Sequence, residues 1–190
     1  NVKLSTITAD KCRTQRKDAI DKKTSYGGFL GLSSSSSIVV DAVTVTNAWA
    51  NYGAGIASMS NDCSQITIKN SKFSNFGESI ALTPWSYGNG IYLISGSADW
   101  SIESVEIWDN KLAGTTSGGG IYIDKEVSTV LVKDSTIREL KATESGAGMY
   151  LQGGNTVDIK VVASSFKDNE SPHGAGFYSS MDTNQLIFTD

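Results

Sequence analysis

His173 is the only histidine, and it stands in Pro172-His173-Gly174, a turn-forming string that makes it a corner residue rather than a general base. Hydrolysis of a glycosidic bond needs two carboxylates at a set separation, one acting as acid and the other as base or nucleophile. The sequence has no adjacent Asp-Asp pair, and Glu106, Asp109, Asp134, Glu139 and Asp168 are scattered along it. Calcium-assisted elimination would need several of these to converge on one ion beside a basic residue. Cys12 and Cys63 lack metal-ligand spacing and are too few for a disulfide framework. There is no Gly-x-Ser-x-Gly nucleophile elbow, and the serine run 33–37 reads as a low-complexity turn. The chain therefore reads as non-catalytic, with no cofactor and no metal.

Side chains act together only if the fold brings them together, and here the fold is announced by a repeat. Gly-x-Gly followed by an apolar residue, often with Tyr next, occurs at Gly53-Ala54-Gly55-Ile56, Gly88-Asn89-Gly90-Ile91-Tyr92, Gly118-Gly119-Gly120-Ile121-Tyr122, Gly146-Ala147-Gly148-Met149-Tyr150 and Gly174-Ala175-Gly176-Phe177-Tyr178. Gly27-Gly28-Phe29 is a weaker copy. Measured on the last glycine, the steps from Gly28 are 27, 35, 30, 28 and 28 residues. Val40, Ile68, Ile102, Val132, Val161 and Phe188 keep step 12 or 13 residues behind that glycine, and Val45, Phe73, Ile107, Ile137 and Phe166 lie five further on. No helix pattern follows Gly-x-Gly, so it is not a dinucleotide fingerprint.

Each repeat then holds three short period-two segments, for example 121–123, 130–132 and 135–137. Segments this short bury an apolar face only by stacking on the next copy, where ladder bonds form at about 4.8 Å spacing. The expected fold is all-β: a right-handed parallel β-helix of about six coils of three short strands, with insertions at one corner. One such segment spans 1–190, with corner loops at 8–25 and 76–87. Ile56, Ile91, Ile121, Met149 and Phe177 should stack inward, and so should Leu93, Ile123 and Leu151. Between them Tyr92, Tyr122, Tyr150 and Tyr178 should point outward, with Leu30 and Ala57 filling that column in the earlier coils. These four tyrosines, and Trp85 in the longest insertion, are the candidate binding residues for another chain or a glycan. Trp100 falls in an inward position, while Trp49 and Trp108 lie near the corner. Asp109, Glu139 and Asp168 share one column with Asn47 and Asn75, which suits turn chemistry through side-chain bonds to backbone.

Gly118-Gly119-Gly120-Ile121 and Gly146-Ala147-Gly148-Met149, paired with Phe166-Lys167-Asp168-Asn169 and Ile107-Trp108-Asp109-Asn110, resemble the repeats of bacterial polymorphic outer membrane proteins and related adhesins. Val45-Thr46-Asn47 and Phe73-Ser74-Asn75 place the Asn one residue early, and Ile137-Arg138-Glu139 lacks it. The resemblance implies a pectin-lyase-like β-helix and a place at a cell surface or in an extracellular assembly. The Asn-Thr-Asp and Gly-His-Gly strings of pectinase-like hydrolases are missing, although a carbohydrate-active enzyme or carbohydrate-binding module of that fold remains the rival reading.

A formal charge of −4 and a pI near 5.0 give no general attraction to phosphate backbones, so no nucleic-acid partner is expected. The basic cluster from Lys11 to Lys23 reads as a solvated loop. No apolar run is long enough to span a membrane. Val2–Ile7 aligns by residue type with Val132–Ile137, so the sequence opens in the second strand of a coil, and Leu186-Ile187-Phe188 closes in the same strand. Open ladder edges follow at both ends. They suit either a segment of a longer solenoid, the preferred reading, or protomers stacking head to tail, and self-association of the isolated segment is expected.

Overall fold

The computed structural model describes residues 2–12, 27–32, 37–58, 65–76, 86–93, 99–110, 115–124, 127, 129–152, 158–180 and 185–190. Among these the chain forms strands, turns and no helix. Most of the basic cluster (13–23), residues 33–36 of the serine run, Cys63 and Trp85 lie outside the described residues.

The repeat produces parallel columns of strands. The first comprises β2 (Leu30–Leu32), β4 (Ile56–Ser58), β8 (Ile91–Leu93), β12 (Ile121–Ile123), β15 (Met149–Leu151) and β18 (Phe177–Ser179), paired in that order. The second column runs from the front halves of β1 (Val2–Asp10) and β3 (Ile38–Thr46) through β5 (Gln65–Lys69), β9 (Asp99–Glu103), β13 (Thr129–Lys133) and β16 (Asp158–Val162) to β19 (Gln185–Thr189). The third uses the back halves of β1 and β3, then β6 (Lys72–Phe76), β10 (Glu106–Asn110), β14 (Thr136–Arg138) and β17 (Ser165–Lys167). Because β1 and β3 run through the corner, the second and third columns join into one eleven-stranded sheet. Four coils therefore carry three separate strands each. The coil of β2 and β3 carries two, and the outermost strands complete the stack. This refines the expected count of six.

The registers carry the expected columns. Val40, Ile68, Ile102, Val132, Val161 and Phe188 pair in succession, as do Val45, Phe73, Ile107, Ile137 and Phe166. From Val40 to Val161 and from Val45 to Ile137 these columns, with the Ile56–Ile91–Ile121–Met149 row, make one continuous buried core, against which Phe166 packs.

Three columns of left-handed corners turn the chain. Gly27, Gly53, Gly88, Gly118, Gly146 and Gly174 precede the first strand with φ between 55° and 63°. Thr6, Ala42, Asn70, Ser104, Asp134 and Ala163 separate the second and third strands, and Lys11, Asn47, Asn75, Asp109, Glu139 and Asp168 end the third, all with positive φ. Half of these twelve are Asn or Asp, the residues that tolerate this region best after glycine. The N–H of several corner residues donates to a carbonyl of the following coil, as from Asn70 to Glu103 at 3.0 Å and from Glu139 to Lys167 at 3.0 Å.

Several expectations shift. Thr8, Ala9 and Asp10 pair with Thr44, Val45 and Thr46, so the first loop loses these residues to β1. Phe76 ends β6 fully buried and Ser86–Tyr87 form the short strand β7, so these three leave the expected second loop, whose residues 77–85 lie outside the described ones. Val2 pairs with Ile38, the place of Val130, and not with the place of Val132. That slip is two residues, which keeps every side chain on its face. Leu30 pairs with Ile56 and belongs to the inward row, while Gly31 takes the outward place beside Ala57. Gly27 therefore takes the place of Gly53, and Phe29 rather than Gly28 that of Gly55, so the first repeat is read one residue later than expected.

Candidate functional site

The tyrosine column forms in the expected register: Tyr92, Tyr122, Tyr150 and Tyr178 pair across successive coils. Their rings stack at 5.2, 5.0 and 5.5 Å between centroids, within 20° of parallel. The first three hydroxyls reach the coil ahead, that of Tyr92 donating to Asp124 Oδ2 at 3.2 Å, that of Tyr122 to Gln152, and that of Tyr150 lying 3.3 Å from Ser180 Oγ.

The column is not, however, an open platform. Tyr92 is 3% exposed and Tyr122 4%, and both belong to a small apolar cluster with Ala57, Tyr52, Tyr87 and Tyr150. The cover comes from a further short ladder in which Tyr52 pairs with Tyr87, β7 with β11 (Thr115–Ser117), Ser117 with Ser145, and Ser145 with His173. Tyr52 packs edge-on against Tyr92 at 4.8 Å, and Tyr87 against Tyr122 at 4.9 Å. The equivalent places before Tyr150 and Tyr178 hold Ser117 and Ser145, too small to cover a ring, and these two tyrosines stay partly exposed. Burial pushes the hydroxyl pKa of Tyr122, and less so that of Tyr87, above the usual phenol value. The signal for this cover in the sequence is the repeated pair Tyr52-Gly53 and Tyr87-Gly88, which the outward reading of the column leaves out of account.

The amide and carboxylate corner bonds side chain to side chain between coils, where bonds to backbone were expected. Asn47 Nδ2 and Thr46 Oγ1 donate to Asp10 Oδ1 at 2.6 and 2.9 Å, and Asn75 Nδ2 donates to Asn47 Oδ1. The bonds from Asn47 and then Thr46 hold the Asp10 carboxyl below the usual carboxylate range. At the neighbouring corner, Asn70 donates to Asp41 at 2.9 Å and lowers that carboxyl likewise. Among the described residues no three His, Cys, Asp or Glu side chains are grouped to hold a metal ion.

Asn110 and Asn169, the last residues of the two motif strings, replace missing backbone. Asn110 Nδ2 donates to the Lys141 carbonyl at 2.7 Å while its Oδ1 accepts the Lys141 N–H at 2.6 Å. Asn169 does the same from the other side, donating to the Ile137 carbonyl at 3.0 Å and accepting from the Leu140 N–H at 3.1 Å. The coil that lacks the Asn is thus tied by the Asn of both neighbours. The only glycosylation sequon, Asn169-Glu170-Ser171, is engaged in this bonding through its Asn amide. Serines do similar work at the next corner: Ser71, Ser135 and Ser164 accept the N–H of Val43, Val105 and Ser135 in the preceding coil.

Other candidate residues fall apart in space. Asp134 turns one corner and Asp109, Glu139 and Asp168 another. Glu106 pairs with Lys72 and Arg138, whose guanidinium also lies 5.4 Å from the Trp108 ring centre. His173 is exposed, 6.3 Å from the Tyr178 ring, at the residue before a left-handed glycine. Trp100 and Trp49 are buried. A groove of about 380 Å³ runs along the outer face of the second column, lined by Thr67, Ser101, Leu131 and Lys160, with Asp99 and Asp158 at one margin. No helix among the described residues is long and apolar enough to cross a membrane.

Comparison with known families yields one match, to the right handed beta helix region, over residues 17–190. No curated protein and no solved structure matches the chain.

Proposed function

Since the chain belongs to the right-handed β-helix family, we propose that it is a non-catalytic structural or adhesive segment of an extracellular or cell-surface protein, joined to other β-structure through its strand edges. One observation carries this reading: the polar side chains of the corners and of the tyrosine row are used in bonds between coils, while the carboxylates and the histidine that could serve a substrate stand at separate corners. Asn110, Asn169, Asn47, Asn70, Asp10 and the hydroxyls of Tyr92, Tyr122 and Tyr150 all close contacts from one coil to the next. Fold alone decides nothing, because β-helices host both enzymes and scaffolds. The likeness of the Gly-x-Gly and Ile/Phe-x-x-Asn strings to surface adhesin repeats supports the extracellular placement.

A second reading, glycan contact, is favoured by the partly exposed rings of Tyr150 and Tyr178 and by the outer groove. Both readings meet one experiment, incubation of the chain with a panel of acidic and neutral polysaccharides with and without calcium. The expected result is no turnover, and any cleavage product sinks the structural reading. Binding without turnover that is lost on Tyr150→Ser and Tyr178→Ser would move the function to glycan adhesion.

A further inference from the structure

Six of the seven tyrosines form one unbroken network of ring contacts, the seventh, Tyr26, lying outside the described residues. Tyr92, Tyr122, Tyr150 and Tyr178 are the stacked row, Tyr52 and Tyr87 join it from the side, and neighbouring centroids stand 4.8 to 5.5 Å apart throughout. The network runs from wet to dry. Tyr52, Tyr87 and Tyr150 are partly exposed, whereas Tyr92 and Tyr122 at its centre are 3% and 4% exposed. Tyr150 has a ring on both faces, so its exposure is lateral. Packing alone would be served by phenylalanine, which brings no hydroxyl to satisfy.

The partners of the hydroxyls occupy a column of their own. Asp124, Gln152 and Ser180 each follow a first-column strand, and the N–H of each donates to the last residue of the strand before, at 2.8, 2.9 and 3.0 Å. Their chemistry changes along the column. Tyr150 meets the Ser180 hydroxyl and Tyr122 the neutral amide oxygen of Gln152, but Tyr92 donates to a carboxylate, Asp124 Oδ2, at 3.2 Å. A phenol gives up an electron readily only when its proton leaves too, because the ring cation radical is a strong acid. Burial and a neutral acceptor hold the proton on Tyr122, whose pKa lies above the usual phenol value. Tyr92 is as dry and has a base in contact, and Asp124 is itself partly exposed, so a proton it receives can pass to water.

We propose that the tyrosine network is a one-electron relay, which carries an oxidising equivalent from its exposed rim to Tyr92, where Asp124 takes the proton. An outside one-electron oxidant, such as the ferryl haem of a peroxidase or a ruthenium(III) complex, removes an electron from Tyr150, whose hydroxyl proton goes to water and leaves a neutral phenoxyl. Tyr92 then gives one electron through Tyr122, across ring contacts of 5.2 and 5.0 Å, and its proton to Asp124. The Tyr150 phenoxyl accepts that electron and a proton from water and is a phenol again. The oxidant is reduced by one electron, and the radical rests on Tyr92 beside a carboxyl that returns its proton to water. Phenoxyls of two molecules couple through ring carbons, and those of Tyr92 are shut in. The relay therefore keeps an oxidised surface from cross-linking to another chain.

The test photolyses the whole chain with tris(bipyridine)ruthenium(II) and persulfate, then follows the tyrosyl radical by freeze-quench electron paramagnetic resonance and dityrosine between molecules by its fluorescence in the cross-linked dimer. Tyr92→Phe keeps the ring and removes the phenol, and Asp124→Asn keeps the shape and removes the base. Near-UV circular dichroism checks that each variant is folded. The wild-type radical should outlive that of either variant by about tenfold, the order expected when a bond to a charged acceptor is lost, and dityrosine between molecules should rise in both variants. A radical as long-lived in Tyr92→Phe as in the wild type overturns the terminus named. One as long-lived in folded Asp124→Asn as in the wild type overturns the role of the carboxylate, and with it the relay. If Asp124→Asn does not fold, Tyr92→Phe decides alone. Polysaccharide turnover, which would sink the structural reading, leaves these lifetimes unchanged.

Discussion

Replacing Asn110 separates packing from hydrogen bonding at one atom pair. The side chain is 4% exposed and makes two bonds to Lys141, at 2.7 and 2.6 Å. A net hydrogen bond contributes about 1 kcal/mol, and a buried group left without a partner costs about 1–3 kcal/mol. Asn110→Ala removes both bonds and leaves a carbonyl and an N–H facing a gap, so the loss should be about 2–4 kcal/mol. For a domain of this size that is a fall in Tm of roughly 10 °C. Asn169→Ala removes an equivalent pair of bonds from a half-buried position, where water can substitute, and should cost about 1 kcal/mol. Asn110→Leu supplies the bulk that Leu140 supplies in the next coil but none of the bonds, so it should recover little of the loss. Urea unfolding with an unchanged m-value measures all three. Wild-type stability in Asn110→Leu, or a larger loss in Asn169→Ala than in Asn110→Ala, would refute the idea that the Asn amide ties the coils.

Two further outcomes follow from the core and from the tyrosines. Ile121→Asp puts a carboxylate between Ile91 and Met149 in a fully buried row; with no partner for the charge, far-UV circular dichroism should show several coils lost at neutral pH. Because burial raises the Tyr122 pKa in the folded state, the unfolded chain ionises first as pH rises past about 10. The stability this gives is complete below that pH and is lost above it, so tyrosinate absorbance should rise together with loss of near-UV circular dichroism. Titration of Tyr122 with the fold intact would contradict its burial.

The apolar columns were legible because a parallel stack puts like residues on like residues, so Ile121 could be placed inward from spacing alone. The tyrosine row was legible for the same reason, and its accessibility was not. Exposure depends on what the neighbouring ladder carries, and Tyr52 and Tyr87 cover Tyr92 and Tyr122 from positions that precede a turn. The slip of β1 shows a different limit. A two-residue shift preserves the alternation of faces, and what distinguishes the registers is specific bonding, here Thr46 and Asn47 to Asp10. Leu30 is ambiguous in the sequence because Gly27-Gly28 offers two glycines, and only the positive φ of Gly27 identifies the corner. The role of Asn110 and Asn169 was half visible. Their recurrence could be read, whereas the use of a side-chain amide to stand in for backbone in a neighbouring coil needs the geometry.

The ties between coils also determine how such a molecule would bear load. Every hydrogen-bonded ladder, stacked ring and amide bridge described joins a coil to the one beside it, so a pull along the stack acts on all the joints in series. An end coil is held on one side only and is the first to give. Detaching one coil of 28 residues would release roughly 95 Å of extended chain, leaving the next coil as the new end with its own joint intact. Tension would then be relieved in steps of one repeat rather than by collapse of the whole.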